Sequence, residues 1–172
     1  MIMNTVSIQS PKYELNDKWD LYYHLPDDKN WDIKSYTTIL GDFHSAEEVI
    51  SINEILPDSV IKSCMLFLMR STIKPMWEDA KNRSGGCFSY RVTNKLVPEV
   101  WKNLIYLCCG ESLTTKSENY KHINGITISP KKNFCIIKIW LDTINYQDPT
   151  FIKQLANLPI QGCLFKKHAP EF

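Results

Sequence analysis

The stretch INGITISPKKNFCIIKIW, residues 123–140, sets two apolar runs rich in isoleucine on either side of a Pro-Lys-Lys-Asn turn. Such runs joined by a short polar turn read as an antiparallel hairpin, here residues 123–129 against 134–140. Strand alternation in the second run puts Lys138 on the same face as Trp140. Working outward, Trp19, Leu21 and Tyr23 alternate with Lys18, Asp20 and Tyr22, the period of a strand with one buried face. Residues 35–39 are rich in Thr and β-branched side chains, and residues 64–69 form an apolar run short enough for a strand buried on both faces. Residues 87–92 alternate again after Gly85-Gly86, and a short strand is expected around 163–165.

Helix signals are fewer. Ser45-Ala46-Glu47-Glu48 is a capping box, and Val49, Ile52, Ile55 and Leu56 follow on one face before Pro57 stops the helix. A second helix opens at Pro98, carries Val100, Trp101, Leu104, Leu107 and Cys108 on its apolar face, and stops at Gly110. Asp148-Pro149 reads as an N-cap and first-turn proline, so a third helix with Phe151, Ile152, Leu155 and Leu158 is expected. Strands outnumber helices and most connections are hairpin-like. The expected class is therefore α+β, an antiparallel sheet with helices on one face and the other face open as a binding surface.

The 172 residues suit one domain, expected over 13–172 after a flexible polar lead at 1–12. A hydrophobic content of 44% with 23% charged residues is that of a globular chain with its own core. Twenty basic against 19 acidic residues exclude coating of nucleic acid by bulk charge, but leave room for a local basic pocket. The six cysteines form no CxxC pair and meet no zinc-finger histidines, so neither metal nor cofactor is expected. No signal peptide or membrane-length apolar run stands out, which points to a cytoplasmic or nuclear location with reduced thiols.

Nothing in the motifs indicates catalysis. His24, His44, His122 and His168 are scattered, and no HExxH, nucleophile elbow or GxxxxGK loop occurs, so the chain is not expected to be an enzyme. The aromatic share of 12% is the unusual feature, because some of these rings sit in polar loops. Trp31 lies in Asp27-Asp28-Lys29-Asn30-Trp31-Asp32, and Trp77 in Lys74-Pro75-Met76-Trp77-Glu78-Asp79. Each indole is either a loop anchor folded onto the body or one of two plates around a flat ligand, with a carboxylate beside it to read a donor edge.

The segment 74–79, followed by Lys81-Asn82 and Gly85-Gly86, resembles the eukaryotic translation initiation factor 4E family of messenger RNA cap-binding proteins. The similarity runs from about Tyr13 to His168. It includes Trp19 to Tyr23, Trp31, Pro98 to Trp101, Gly110-Glu111-Ser112, Asn124-Gly125, Ile139-Trp140 and Leu158-Pro159. The resemblance implies a curved antiparallel sheet of about eight strands with three helices packed on its convex face. It also implies a ligand, the 7-methylguanosine cap, with the base stacked between Trp31 and Trp77, Glu78 on the guanine edge and Trp140 near the methyl group. Lys131, Lys138, Lys132 and Lys166 are the lysines expected on the phosphates.

The sequence departs from the family in two places. Lys131 stands for an arginine, Asn133 and Ile136 stand for lysines, and Cys87 stands for the arginine after the double glycine, so the phosphate side has fewer cations. Lys138 is the better substitute because it shares a face with Trp140. The family docks a scaffold or repressor peptide on the convex side, which places Leu15, Ala46, Ile50 and Tyr106 at that surface. Ile50 replaces the family's exposed tryptophan, and Lys102, Asn103 and Tyr106 alter the second helix. The chain is expected to be a monomer that binds capped message and promotes translation, with altered scaffold binding; the alternative is a cap-binding repressor or decoy. Ending at Phe172, it is also expected to lack much of the family's C-terminal loop.

Overall fold

The computed structural model describes residues 13–168; the lead expected at 1–12 lies outside the described residues. Seven strands form one antiparallel sheet: β1 (Glu14–His24), β2 (Thr37–Ser45), β3 (Met65–Arg70), β4 (Gly86–Thr93), β5 (Ile123–Pro130), β6 (Phe134–Leu141) and β7 (Leu164–Lys167). Their spatial order is β2-β1-β3-β5-β6-β4-β7, so the hairpin of residues 123–140 lies at the middle of the sheet. Its register sets Thr127 opposite Lys138 and Gly125 opposite Trp140.

The pleat sorts side chains onto two faces. Trp19 and Leu21 of β1, Leu66 and Leu68 of β3, Ile126 and Ile128 of β5, and Ile137 and Ile139 of β6 are fully buried in the main core. Against them pack α1 (Ala46–Ile55), α2 (Asp58–Ser63) and α3 (Val97–Cys109), with Trp101, Leu104 and Ile105 of α3 fully buried. The intervening residues Phe67, Met69, Cys87 and Trp140 gather with Ile73 in a separate, smaller cluster on the opposite face. That second cluster is the floor of the site described below.

Local chemistry explains the helix starts. Ser45 Oγ accepts from the Glu48 amide, and Glu48 Oε2 accepts from the Ser45 amide at 3.0 Å, a closed capping box. Proline at the second position of α3 spends no hydrogen bond there, since the first-turn amides have no partner inside the helix.

Several expectations need correction. The helix expected after Asp148 is a single 3-10 turn, Pro149–Phe151. Asp148 does cap it, accepting from the Thr150 amide at 2.9 Å, but Ile152 then turns extended and bridges Thr114. The amides of Thr115 and Lys153 bond to the carbonyls of Phe151 and Leu113, so this backbone is satisfied by a strap and not by a helix. The third helix is instead α2, which begins after Pro57, the residue expected only to stop α1. Ile55, expected on the buried face of α1, is exposed. β2 extends to Ser45, well past the predicted 35–39. The seven strands among the described residues agree closely with the expected sheet of about eight.

The double glycine is required by close approach. A Cβ on Gly85 would run into the Leu141 carbonyl oxygen, and one on Gly86 would lie 2.5 Å from the Lys166 carbonyl oxygen. Both obstacles are backbone, so relief needs a shift of β6 or β7. Gly85→Ala should destabilise the fold by about 1–3 kcal/mol, the usual range for overpacking, read as a lower urea midpoint at unchanged slope. An unchanged midpoint would contradict this packing.

Candidate ligand-binding site

On the face away from the helices lies a cavity of about 420 Å³, the size that suits a small-molecule ligand. Its floor is Trp140, Phe67 and Thr127, its walls are the loops that carry Trp31 and Trp77, and Glu78 and Lys138 reach its rim. The floor is rigid by pleat and by one hydrogen bond, Trp140 Nε1 donating to Thr127 Oγ1 at 3.1 Å.

The two wall loops are built from short polar contacts. Between β1 and β2, Asp28 accepts from the Asn30 amide at 2.8 Å and Asn30 Oδ1 accepts from the Asp32 amide at 2.9 Å. A 3-10 turn, Ile33–Ser35, completes that loop. In the stretch after β3, Asn82 is fully buried, and its Nδ2 donates to the carbonyls of Lys74 and Met76 at 3.1 and 2.8 Å. Asn124 of β5 donates in turn to Asn82 Oδ1 and the Lys81 carbonyl, each at 2.9 Å. Asp79 accepts from the amides of Lys74 and Lys81. This buried amide pair fastens the Trp77 loop to the middle strand of the sheet, because each of these groups would be costly to leave unpaired. The stretch between β3 and β4 is closely tied.

Trp31 and Trp77 keep 47% and 42% of their surface exposed, whereas Trp19 and Trp101 have none. One face of Trp31 is covered: the His24 ring stacks on it at 4.2 Å with planes 3° apart. Tyr36 closes the space between Trp31 and Phe67, and its phenol is pushed up to about 12 by burial and by the Glu78 carboxylate.

Of the residues singled out in the sequence, the cavity brings together Trp31, Trp77, Glu78, Trp140 and Lys138. Lys131 and Lys132 sit exposed in the β5–β6 turn and do not line it. Lys166 lies on β7 opposite Cys87, whose other neighbour in the sheet is Trp140. Burial pushes the Cys87 thiol up, while the charges of Lys138 and Lys166 pull it the other way, so both amines flank this thiol. Tyr36, Met65, Phe67 and Thr127 line the cavity without having been singled out. Their signal was the alternation of Met65, Phe67 and Met69 with Leu66 and Leu68, which the reading of 64–69 as buried on both faces passed over. Among the described residues no three His, Cys, Asp or Glu side chains group as a metal site.

On the helical side, Leu15 is partly buried against the core and Ala46 half-buried, with the Ala46 amide bonded to the Tyr13 carbonyl at 2.9 Å. Ile50 and Tyr106 are each 44% exposed. Tyr106 also lines a groove of about 240 Å³ with Val100, Asn103, Leu107, Leu155 and Ala156.

Comparison with known proteins gives one consistent picture. The family described as Eukaryotic initiation factor 4E matches residues 14–168. The eukaryotic translation initiation factor 4E of Eremothecium gossypii is 30% identical over 143 residues, 77% of this chain and 64% of that protein. Factor 4E-1 of Schizosaccharomyces pombe is 27% identical over 159 residues, 86% of this chain and 71% of that one. A crystal structure of schistosome eIF4E complexed with m7GpppG and 4E-BP matches with a TM-score of 0.68 at 26% identity, covering 77% of this chain and 74% of that one. The chain thus spans just under two thirds of the Eremothecium relative's length.

His168 packs on Trp140 with ring centroids 4.4 Å apart, and its imidazole is pushed down to about 4 from 6.5 by burial and by the Lys138 charge. The unfolded chain takes up this proton near 6.5 and the fold resists it until about 4. The contribution of the neutral ring is therefore fully present above that window and is lost as pH falls through it. Between about pH 7 and about pH 4.5 the wild type should lose more stability in urea than His168→Phe. Equal losses would show that His168 is not held neutral by this packing.

Proposed function

The chain belongs to the eukaryotic initiation factor 4E family, and from that membership we propose that it binds the 7-methylguanosine 5′ cap of messenger RNA to promote translation initiation. The observation that carries the reading is a ligand-sized cavity walled by two half-exposed indoles, Trp31 and Trp77, with a carboxylate, Glu78, beside one of them. The schistosome relative, complexed with m7GpppG, supports the same ligand class.

The chemistry fits the residue types. Methylation at N7 makes guanine cationic, and a cation over an indole face gains about 0.5–2 kcal/mol as the site desolvates. Stacking of any base contributes about 1–3 kcal/mol per aromatic partner. The guanine N1–H and exocyclic amine are two donors that Glu78 accepts together; adenine would leave that carboxylate without a partner. Trp140 stands on the floor near the methyl group. Lys138 at the rim takes the first phosphates, Lys166 extends the positive path, and Lys131 and Lys132 act farther out from the β5–β6 turn. Residues 13–172 act as one domain, monomeric, cytoplasmic or nuclear, without cofactor or catalytic residues.

Leu15, Ala46, Ile50 and Tyr106 form the partner face, for a scaffold factor or repressor peptide. Ile50 in place of the family's tryptophan, with Asn103 beside Tyr106, keeps the apolar dock only in part. That alteration favours a second reading, a repressor that occupies the cap without recruiting ribosomes. Added to a cap-dependent translation extract, an initiation factor raises output and a decoy lowers it.

Titration with 7-methyl-GTP should quench the tryptophan fluorescence, with a much weaker response to GTP. Trp31→Ala or Glu78→Ala should weaken binding by roughly tenfold or more, the scale of one lost stack or charged pair. An equal response to both nucleotides would end the proposal. Lys138→Ala should weaken binding and flatten its salt dependence more than Lys131→Ala does; the reverse ranking would move the phosphate path to the turn.

A further inference from the structure

We infer that His24 is the positioning residue for the Trp31 plate, and that the charge state of its imidazole sets how firmly the plate is seated. The inference rests on the cap-binding reading for its consequence, but its geometry stands in the free protein.

His24 ends β1, is fully buried, and lies opposite Met65 in the sheet. Its ring is parallel to the Trp31 indole at 4.2 Å, so it backs one face of the plate while Trp31 lines the cavity. Both ring nitrogens are engaged by the loop that carries the tryptophan. Nδ1 is 2.9 Å from the Leu25 carbonyl oxygen; Nε2 is 2.7 Å from the Asn30 carbonyl oxygen and 3.1 Å from Ser35 Oγ. Leu25 and Asn30 bound the loop ahead of Trp31, and Ser35 closes the turn behind it.

Each of these partners is an acceptor. The two carbonyls have no proton to give, and the Ser35 hydroxyl already donates to the Asp32 carbonyl at 2.7 Å. A neutral imidazole has one N–H, so it satisfies one side of the loop and turns a lone pair towards an oxygen on the other. The doubly protonated ring donates on both sides and also lays a cation under the indole. The plate is therefore clamped at both ends by the charged ring and at one end by the neutral ring.

The groups around the ring bear on its charge. Tyr36 faces it with ring centroids 5.0 Å apart, and that phenol is pushed up to about 12, so it stays neutral throughout. Glu78 lies beyond Tyr36 on the opposite loop. Met65 from β3 is uncharged. In its own loop, Asp28 accepts from the Asn30 amide, and Asp32 gives its carbonyl to Ser35. A cationic base on the far face of Trp31 would be repelled by a His24 charge across the indole, and the affinity ratio below weighs that repulsion against the clamp.

Two measurements test this. In ligand-free protein with 15N-labelled histidine followed across a pH series, any change in the number of protons on the His24 nitrogens should coincide with a shift of the Trp31 indole signal, and a proton change that leaves the indole unmoved would overturn the inference. A single neutral tautomer over the whole range would overturn the inference. Binding of 7-methyl-GTP is then compared between wild type and His24→Phe, which keeps a ring under the indole but neither donor. The ratio of the two affinities cancels ionisation of the nucleotide and of shared groups. It should rise about threefold or more from about pH 8.5 to about pH 5.5; a flat ratio would overturn the inference. If His24→Phe does not fold, the histidine spectra decide alone. If the wild type binds no 7-methyl-GTP, the cap-binding reading falls while the spectra still decide this one.

Discussion

A strand shows its side chains to two faces in turn, and in the middle of this sheet every second position must be apolar enough for a core while the next is shaped for a cavity. β6 carries the constraint most clearly. Ile137 and Ile139 are fully buried under the helices, while Lys138 and Trp140 face the other way and line the cavity. A slip of one residue would drive the Lys138 ammonium into the core and lift Ile139 into the pocket. Burial of an unpaired charge is costly enough to exclude that alternative. Register is pinned on the pocket side as well, by the hydrogen bond from Trp140 to Thr127 across the hairpin. Core and site are thus two consequences of one alternation.

The walls depend on a different kind of interaction. An indole left almost half in water gives up hydrophobic stabilisation, and a loop that presents it must be ordered by other contacts. Buried polar pairs supply that order here. Asn124, on the sheet, reaches Asn82, and Asn82 reaches the carbonyls on either side of Pro75, so the Trp77 loop inherits the rigidity of β5. His24 does the same for Trp31 from the end of β1. In both cases a fully or nearly buried polar side chain joins a fixed strand to a loop whose own apolar residue stays at the surface. Binding surfaces on loops held by a rigid scaffold are the general case, and these contacts are its local form.

What could be read from the sequence follows the range of the interactions. The central hairpin, the Ser45–Glu48 capping box and the Pro98 helix start depend on neighbours a few residues away, and all three are present. The segment after Asp148 has local helix signals as good as these. Its backbone nevertheless pairs with residues 113–115, a partner some 35 positions away in sequence that no local pattern reveals. α2 was missed because Pro57 serves both as the stop of one helix and the cap of the next. At the site, Trp31, Trp77, Glu78 and Lys138 stood out because they were chemically out of place in polar loops or on the open face of a strand. Tyr36, Met65 and Phe67 did not, since an apolar pocket lining looks like core until the side of the sheet is known. His24 was the least legible: its role lies in three acceptors, two of them beyond its immediate neighbour.

The two faces also separate the two proposed functions physically. α3 packs on β5 and β1 from one side, and the cavity opens on the other, with the whole main core between them. Ile50 and Tyr106 therefore share no contact with Trp31, Trp77 or Glu78, and a change on the helices passes to the cavity only by moving the sheet. Tightly packed interiors resist such movement, and independent sites of this separation behave additively. The proposed partner face can thus drift from its family pattern while the cavity keeps its two indoles and its carboxylate. The phosphate side has no such insulation. Cys87 lies beside Trp140 on the adjacent strand, where the resemblance puts an arginine, and Lys138 and Lys166 are cations close to it. On the proposed cap-binding reading, fewer fixed charges for the phosphates leave more of the affinity to stacking, which would make the seating of the two indoles the controlling variable of the site.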